Sequence, residues 1–381
     1  MPATTHWEVL REASHCRVRR YGRFLVAELL RPHRVLSTSI KNGGQQDDIR
    51  YLVNHQSCEG KDHKERQVVI TEMGLEQYHD SVCGEIGLEP GAVALMGTAA
   101  NMNYASIVEH GADDIAVTAI VTAGVQGNAA CAGDPTTWRE TESGWEKIKT
   151  LSYAGTINTM LLLNQPLSQG AIAAAVVTMT EAKTAALQRL AIRSLHSPDF
   201  ATGTTTDQYC IAAPQTGAFM LKSTSTGVQL GELIGLAVRD ATLEALRWQN
   251  GLEVSYTRSI FHALGSYGLK EKSFFEEIAP FLNARNFELL RANSNSVFYE
   301  PLMAAAAYAS ANVLDRLRAG TLPPDTAKEA LRQQTATMAA NLAARRDCWH
   351  DFYSDLSEVD VEKPKLVILK AIALGWSAKW R

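Results

Sequence analysis

Four phrases follow one another between residues 122 and 207: T-A-G-V-Q-G-N-A-A-C-A-G-D-P (122–135), G-T-I-N (155–158), T-M-T-E-A-K (178–183) and A-T-G-T-T-T-D (201–207). Three of them are Gly/Thr/Asn/Asp loops at the ends of apolar, strand-like runs. The fourth belongs to a helix whose charged pair is oddly placed. Small residues let backbone approach a ligand closely, and short polar side chains supply hydrogen bonds without bulk. This pattern requires a fold that brings several strand ends together, and it predicts a site for one small-molecule or cofactor-sized ligand.

The strand-like segments are 16–20 and 24–30 about the turn Tyr21-Gly22-Arg23, then 35–40, 93–97, 115–123, 156–163 and 208–213. Short β-prone runs joined by tight turns predict antiparallel pairing at the start of the chain. Helices are predicted at 46–55, 72–87 (with Gly87 as terminator), 168–190 (with Ser168 as N-cap) and 229–248. Residues 135–149 read as a surface excursion. After about residue 256 strands all but vanish, and 274–291, 297–318 and 325–352 are helix-like, with Asp325 placed to cap the last. The expected fold is α/β or α+β, with mixed or antiparallel sheet layers covered by long helices. Residues 1–255 form the core, and 256–381 a helical appendage serving as a lid or an oligomerisation element.

A net charge of −4 argues against nucleic acid as a partner, because phosphate binding needs a basic face. No apolar run approaches the ~18 residues of a membrane span, and no secretory signal is visible. The six cysteines lack paired spacing and read as free thiols. Together these features predict a cytoplasmic protein, and they leave a homo-oligomer open.

At 100° per residue along 168–190, Ile172, Val176, Met179, Ala186, Leu187 and Leu190 share an apolar stripe, while Thr178, Thr180, Glu181, Thr184 and Gln188 fall opposite. Lys183 falls inside the stripe. An ammonium near a core face needs a carboxylate or several acceptors to hold it. Lys183 therefore either snorkels or makes a structural ion pair, or it points into a polar cleft where the strand-end loops meet. Glu181 lies some 160° away on an ideal helix, so the two charges should not share one role.

These phrases, together with L-S-T-S-I-K-N-G-G (36–44), A-L-M-G-T-A-A (94–100) and G-E-L-I-G (231–235), resemble in order the adenosylcobinamide amidohydrolase family. The resemblance spans about residues 20 to 250. It implies hydrolysis of the amide joining a corrin side chain to aminopropanol, giving adenosylcobyric acid, with the corrinoid as substrate and no cofactor required. Another corrinoid, including a pseudocobalamin, is also open.

Amide hydrolysis needs an activated nucleophile, a stabilised oxyanion and an acid for the departing amine. No G-x-S-x-G elbow is present. Lys183 is the candidate oxyanion stabiliser or proton donor. Asp207 is the candidate general base, with Glu181 as its competitor, although Asp207 after a Thr-rich loop is also ordinary turn chemistry. Thr156, Thr204 and Thr205 are conceivable hydroxyl nucleophiles or binding groups. Asn42, Asn101, Asn128 and Asn158 would meet the corrin amides, with Gly43, Gly44 and Gly124 in the same loops, and Asp134 there as well or as a turn former. Cys131 has no evident His partner.

A rival cluster, His55, Cys58, His63, His79 and Cys83, has spacings that zinc ligands can show, and bound zinc would activate water. The spacing matches no regular finger, and the charges around residue 62 suggest surface histidines and semi-buried thiols on an exposed loop. Three readings are thus carried: a corrinoid amidohydrolase, a non-catalytic corrinoid-binding protein, and a zinc-dependent amidase.

Overall fold

The computed structural model describes residues 7–59, 63–136, 138–142, 144–148 and 155–379. It divides into two compact units, with the boundary between Leu252 and Glu253. The strands, all in the first unit, are β1 (Glu8–Glu12), β2 (Cys16–Tyr21), β3 (Phe24–Leu29), β4 (His33–Ser37), β5 (Gly44–Gln46), β6 (Tyr51–Gln56), β7 (Val93–Thr98), β8 (Ser106–Ala112), β9 (Ile115–Ala123), β10 (Ala129–Ala130), β11 (Trp138–Thr141), β12 (Gly144–Lys147), β13 (Ile157–Leu163), β14 (Gly203–Thr204) and β15 (Gln208–Pro214). Its helices are α1 (His63–Met73), α2 (Leu75–Glu85), α3 (Gln169–Arg189) and α4 (Gln229–Asn250).

A five-stranded sheet runs β1-β2-β3-β6-β7 and a six-stranded sheet runs β5-β4-β15-β13-β9-β8. Most neighbours are antiparallel; β6 with β7 and β13 with β15 are parallel. Alternation along the strands shows how these sheets stack, because successive side chains leave opposite faces. Leu25, Ala94 and Met96 of one sheet meet Ile120, Met160, Leu162 and Ala212 of the other in one apolar cluster. The outer face of the five-stranded sheet (Phe24, Val26, Val53, Val93 and Leu95) packs on Tyr78, Val82 and Cys83 of α2. The outer face of the six-stranded sheet (Val117, Val121, Ile157, Leu161 and Ile211) packs on α3 and α4. The result is a four-layer α+β sandwich: helix, sheet, sheet, helices.

Residues 46–55 were expected to form a helix, and the structure corrects this. After β5 they enter β6, a strand between β3 and β7 whose residues Leu52–Gln56 are all buried. With both faces covered, β6 shows no period-2 alternation, and the polar Asn54, His55 and Gln56 imitate a helix surface. The segment 72–87 is split at Gly74 (φ 86°), so α2 starts at Leu75, and Gly87 (φ 68°) follows its end. The excursion at 135–149 contains the β11–β12 hairpin.

Ser168 caps α3 as expected, its side chain accepting from the Ala171 amide. Ile172, Met179, Ala186 and Leu187 are buried, whereas Thr178, expected on the polar arc, is buried too and donates to the Thr224 carbonyl (2.7 Å). Packing against α4 and the 224 loop widens the covered face beyond the apolar stripe.

The second unit is helical: α5 (Val254–Thr257), α6 (Ile260–Leu264), α7 (Glu271–Ile278), α8 (Ala284–Ala292), α9 (Asn295–Phe298), α10 (Pro301–Arg318), α11 (Pro324–Ala343), α12 (Trp349–Asp355) and α13 (Pro364–Ala378). The long helices expected here are interrupted. Pro280 sits in the turn that parts α7 from α8, Glu300 caps α10, and Ala344 at φ 55° ends α11. Asp325 lies in the first turn of α11 but is not its cap. The apolar α13 escaped the sequence reading.

Candidate active site

The parallel pairing of β13 with β15 sets Asn158 opposite Gln208, and the antiparallel pairing of β13 with β9 sets Ile157 opposite Ala123. The loops before β13 and β15 therefore emerge at the same end of the sandwich as the loop after β9. The ends of β6 and β7 are tied to that end by a buried polar seam. Asn54 donates to Thr122 (2.7 Å), and Asn158 donates to Asn54 Oδ1 (2.9 Å) and to the Gly97 carbonyl (3.1 Å).

Lys183 and Asp207 meet here. Nζ donates to Oδ2 at 2.5 Å, with side chains 15% and 17% exposed, shielded enough for the pair to be held yet still open to a ligand. Asp207 also accepts from the Thr204 amide (3.1 Å) on Oδ2, and from the Ile157 amide (3.0 Å) and Thr204 Oγ1 (2.5 Å) on Oδ1. Four donors occupy its four lone-pair positions. Gly203 makes this possible, since a Cβ there would lie 2.3 Å from Asp207 Oδ2 and 2.8 Å from Lys183 Nζ.

The pair lines a cleft of about 1110 Å³, together with Thr204, Thr205, Asp134 and Cys131. A smaller cavity of about 240 Å³ adjoins it, sharing Ser57, Ile70, Leu75 and Thr206 with the cleft wall. Asn128 and Thr156 line this smaller space. Asn128 donates to the Gly155 carbonyl (2.9 Å) and accepts from Thr205 (2.7 Å), while the Thr156 and Thr206 hydroxyls lie 2.7 Å apart. Gly155 fits closely, because a Cβ would stand 2.8 Å from the Gly124 carbonyl oxygen.

Apart from Asp134 and Cys131 in the cleft wall, the remaining candidates lie elsewhere. Glu181 is exposed on α3 and lines neither space. Asn158 is fully buried in the seam behind the site. Asn42 donates to the Pro90 and Val93 carbonyls, and Gly43 and Gly44 carry the chain into β5; none of the three lines the site. Asn101 caps a turn through the Asn103 amide, and Gly124 lies behind Gly155. Asp134 closes its own loop, accepting from the Cys131 amide and the Ser194 hydroxyl (both 2.6 Å). Burial alone would raise its carboxyl, but bonds from Ser194, Ser197 and Cys131 bring it below the usual range. Burial, with Asp134 and Asp199 nearby, pushes the Cys131 thiol up, opposite to what a nucleophilic thiol needs.

His55 and His79 are not on an exposed surface as expected, whereas Cys58 is half-buried in the loop after β6 and lines the cleft. His55 is buried in β6, stacked on Phe24 and bonded to Tyr78, and His79 is buried on α2 against the Val93 carbonyl. Cys83, beside His79, has its thiol pushed up to about 11 by burial. The side chain of His63 lies outside the described residues. Among the described residues, no group of three or more His, Cys, Asp or Glu is placed to hold a metal ion.

Sequence reasoning overlooked Thr206, Gln208, Ser57 and His196, all of which line one space or the other. Thr206 was legible in principle, inside A-T-G-T-T-T-D. His196 carried no local signal, since tertiary folding alone brings its loop beside Asp134.

The profile of the adenosylcobinamide amidohydrolase family matches residues 9–254, well over half of the chain. An uncharacterized protein of Methanocaldococcus jannaschii is 33% identical over 196 residues, covering 47% of this chain and 72% of its own length. The matched span coincides with the unit that holds the cleft and its ion pair, and the chain belongs to the adenosylcobinamide amidohydrolase family.

Proposed function

We propose that this protein hydrolyses the amide linking the aminopropanol arm to the corrin ring of adenosylcobinamide, releasing adenosylcobyric acid and 1-amino-2-propanol. The observation that carries this reading is the Lys183–Asp207 pair opening into a cleft of about 1110 Å³ formed largely by the family's strand-end phrases. That volume lies just above the range of ordinary ligand pockets, roughly 300–1,000 Å³, as a macrocyclic substrate requires.

In this reading water attacks the carbonyl carbon, the Lys183 ammonium stabilises the developing oxyanion, and the proton that the attacking water gives up passes to the departing nitrogen as the C–N bond breaks, releasing the acid and the free amine. Asp207, with all four acceptor positions filled, acts as a positioning residue that fixes Nζ rather than as the base. The Thr156–Thr206 hydroxyls face the departing nitrogen. Six free thiols fit a reducing compartment, and the cytoplasm is the proposed location.

The test is incubation with adenosylcobinamide, followed by mass spectrometry for both products. Tight corrinoid binding without cleavage would overturn the enzyme reading in favour of a binding protein. Cleavage should persist after exhaustive chelation. Loss restored by zinc would point instead to a zinc-dependent amidase.

A further inference from the structure

Amide hydrolysis needs a group that takes a proton from the attacking water and returns it to the departing nitrogen. Asp207 cannot serve, because four donors already fill its lone-pair positions. Among the described residues that line the cleft, the other groups able to accept a proton are Asp134, Cys58, Cys131 and His196. Asp134 already accepts from the Cys131 amide and the Ser194 hydroxyl, bonds that make it a poorer base. A thiol must first lose its own proton, and burial pushes that of Cys131 up. A neutral imidazole accepts one directly.

Short-range bonds hold the His196 loop against Asp134. Ser194 Oγ donates to Asp134 Oδ2 (2.6 Å) and accepts from the backbone amides of His196 (2.9 Å) and Ser197 (3.3 Å). Asp134 itself follows β10, whose Ala130 pairs with Gly203 of β14, and Gly203 lies directly against Lys183 Nζ. The imidazole and the ammonium therefore belong to one wall of the cleft, built on two strands about 5 Å apart. His196 Nε2 is also buried with no hydrogen-bond partner among the described residues. Native structures pair nearly all such atoms, and groups reserved for catalysis are among the exceptions.

We propose that His196 is the general base and acid of the reaction, and that Asp134 is a positioning residue that holds the His196 loop and favours the imidazolium. The inference rests on the corrin-amide reading above. The imidazole takes one proton from water as the C–O bond forms, and the oxyanion develops beside the Lys183 ammonium. When the intermediate collapses the C–N bond breaks, and the imidazolium gives that proton to the departing nitrogen. The products are the acid and a primary amine, and the imidazole is neutral again. A carboxylate beside the ring stabilises its charged form, which exists only while the intermediate does. Among the described residues, the charged groups of its own loop are Arg193, which lies over the Phe200 ring, and Asp199. Those lining the cleft from other elements are Asp134, Lys183 and Asp207.

The experiment measures adenosylcobinamide cleavage and binding between about pH 5 and 8, the range in which imidazoles change charge, for the wild type, His196→Gln and Asp134→Asn. The wild type should lose kcat/KM on the acid side, where its base is protonated. His196→Gln should bind the corrinoid within a few-fold of the wild type, lower kcat about 10²–10⁴-fold and abolish that acid limb. The turn survives this change, because Ser194 accepts from a backbone amide that glutamine also supplies. Asp134→Asn keeps an acceptor for the Cys131 amide and the Ser194 hydroxyl, since both bond the same oxygen. It should move the acid limb to lower pH, because the carboxylate no longer favours the protonated ring. A flat wild-type profile overturns the assignment without needing any variant. So does His196→Gln that keeps turnover within a few-fold, or that loses it only in step with corrinoid affinity. An acid limb unmoved in Asp134→Asn removes Asp134 from its role. Wild-type protein that binds the corrinoid and cleaves none sinks the amidohydrolase reading as well, whereas the other failures leave that reading standing.

Discussion

At the scale of single residues, Lys183 and Asp207 share one ion pair but not one dependence. If Lys183 is removed, Asp207 keeps the two backbone amides and the Thr204 hydroxyl, so the fold has little to lose. Lys183→Ala is expected to remain folded while turnover drops about 10²–10³-fold, the usual effect of deleting one oxyanion donor; circular dichroism beside the cleavage assay checks both. Asp207→Ala should behave differently. It strands two backbone amides and a half-buried ammonium, and should lower stability by about 3 kcal/mol in chemical unfolding. Equal stabilities for the two variants would contradict the geometry. Gly203→Ala should reproduce the Lys183→Ala loss without altering either charge, because its Cβ has no room beside the pair. Lys183 was legible in the sequence because a charge inside an apolar stripe breaks a strict period. Its partner was named as a candidate, but the four bonds that saturate Asp207 were not legible, since they come from residues 50 positions apart in the chain as well as neighbours.

At the scale of elements, strands such as β9, β13 and β15 could be read directly, because their apolar runs are short and bounded by Gly, Asn or Asp. β6 could not. Its polar residues exist to make cross-sheet bonds that no local pattern announces. That origin has a measurable consequence. Asn158→Leu leaves Asn54 Oδ1 and the Gly97 carbonyl buried without their donor, and is expected to lose about 2–3 kcal/mol in guanidinium unfolding. A neutral result would show that the seam does not join the sheets energetically. In the helical unit, reading through Pro280 merged two helices into one. The local rule was present, since proline interrupts the helical ladder and Asn283 caps the helix that follows. The end of α11 at Ala344 is another matter, because alanine favours helix and gives no stop signal.

At the scale of the whole molecule, acid should loosen the sandwich through two buried histidines. Burial, then His33, Arg31 and Arg11, hold His15 down at about 4, and burial also lowers His33 despite its bond to the Arg31 carbonyl. The unfolded chain takes up these protons near pH 6.5, while the folded chain takes them up at lower pH, His15 only at about 4. Stability is therefore intact above about 6.5 and falls progressively as pH drops toward 4. Allowing for solvent screening, His15 accounts for on the order of 2 kcal/mol of that loss. Guanidinium unfolding at pH 7 and pH 4.5 should show His15→Phe losing less than the wild type; an identical loss would remove His15 from the account. The sequence by itself determined a fold of mixed sheets and long helices, its helical last third, the family, and the loop phrases that line the cleft, because each is written in local pattern or in the order of short motifs. The tertiary structure alone decided that the sheets stack face to face, that Asn42 ties its loop to Pro90 and Val93 and Asn101 caps a turn while Asn128 lines the smaller cavity, and that this cavity adjoins the large cleft. Such properties depend on which strand ends meet, and that is settled by the packing of four layers rather than by any one segment.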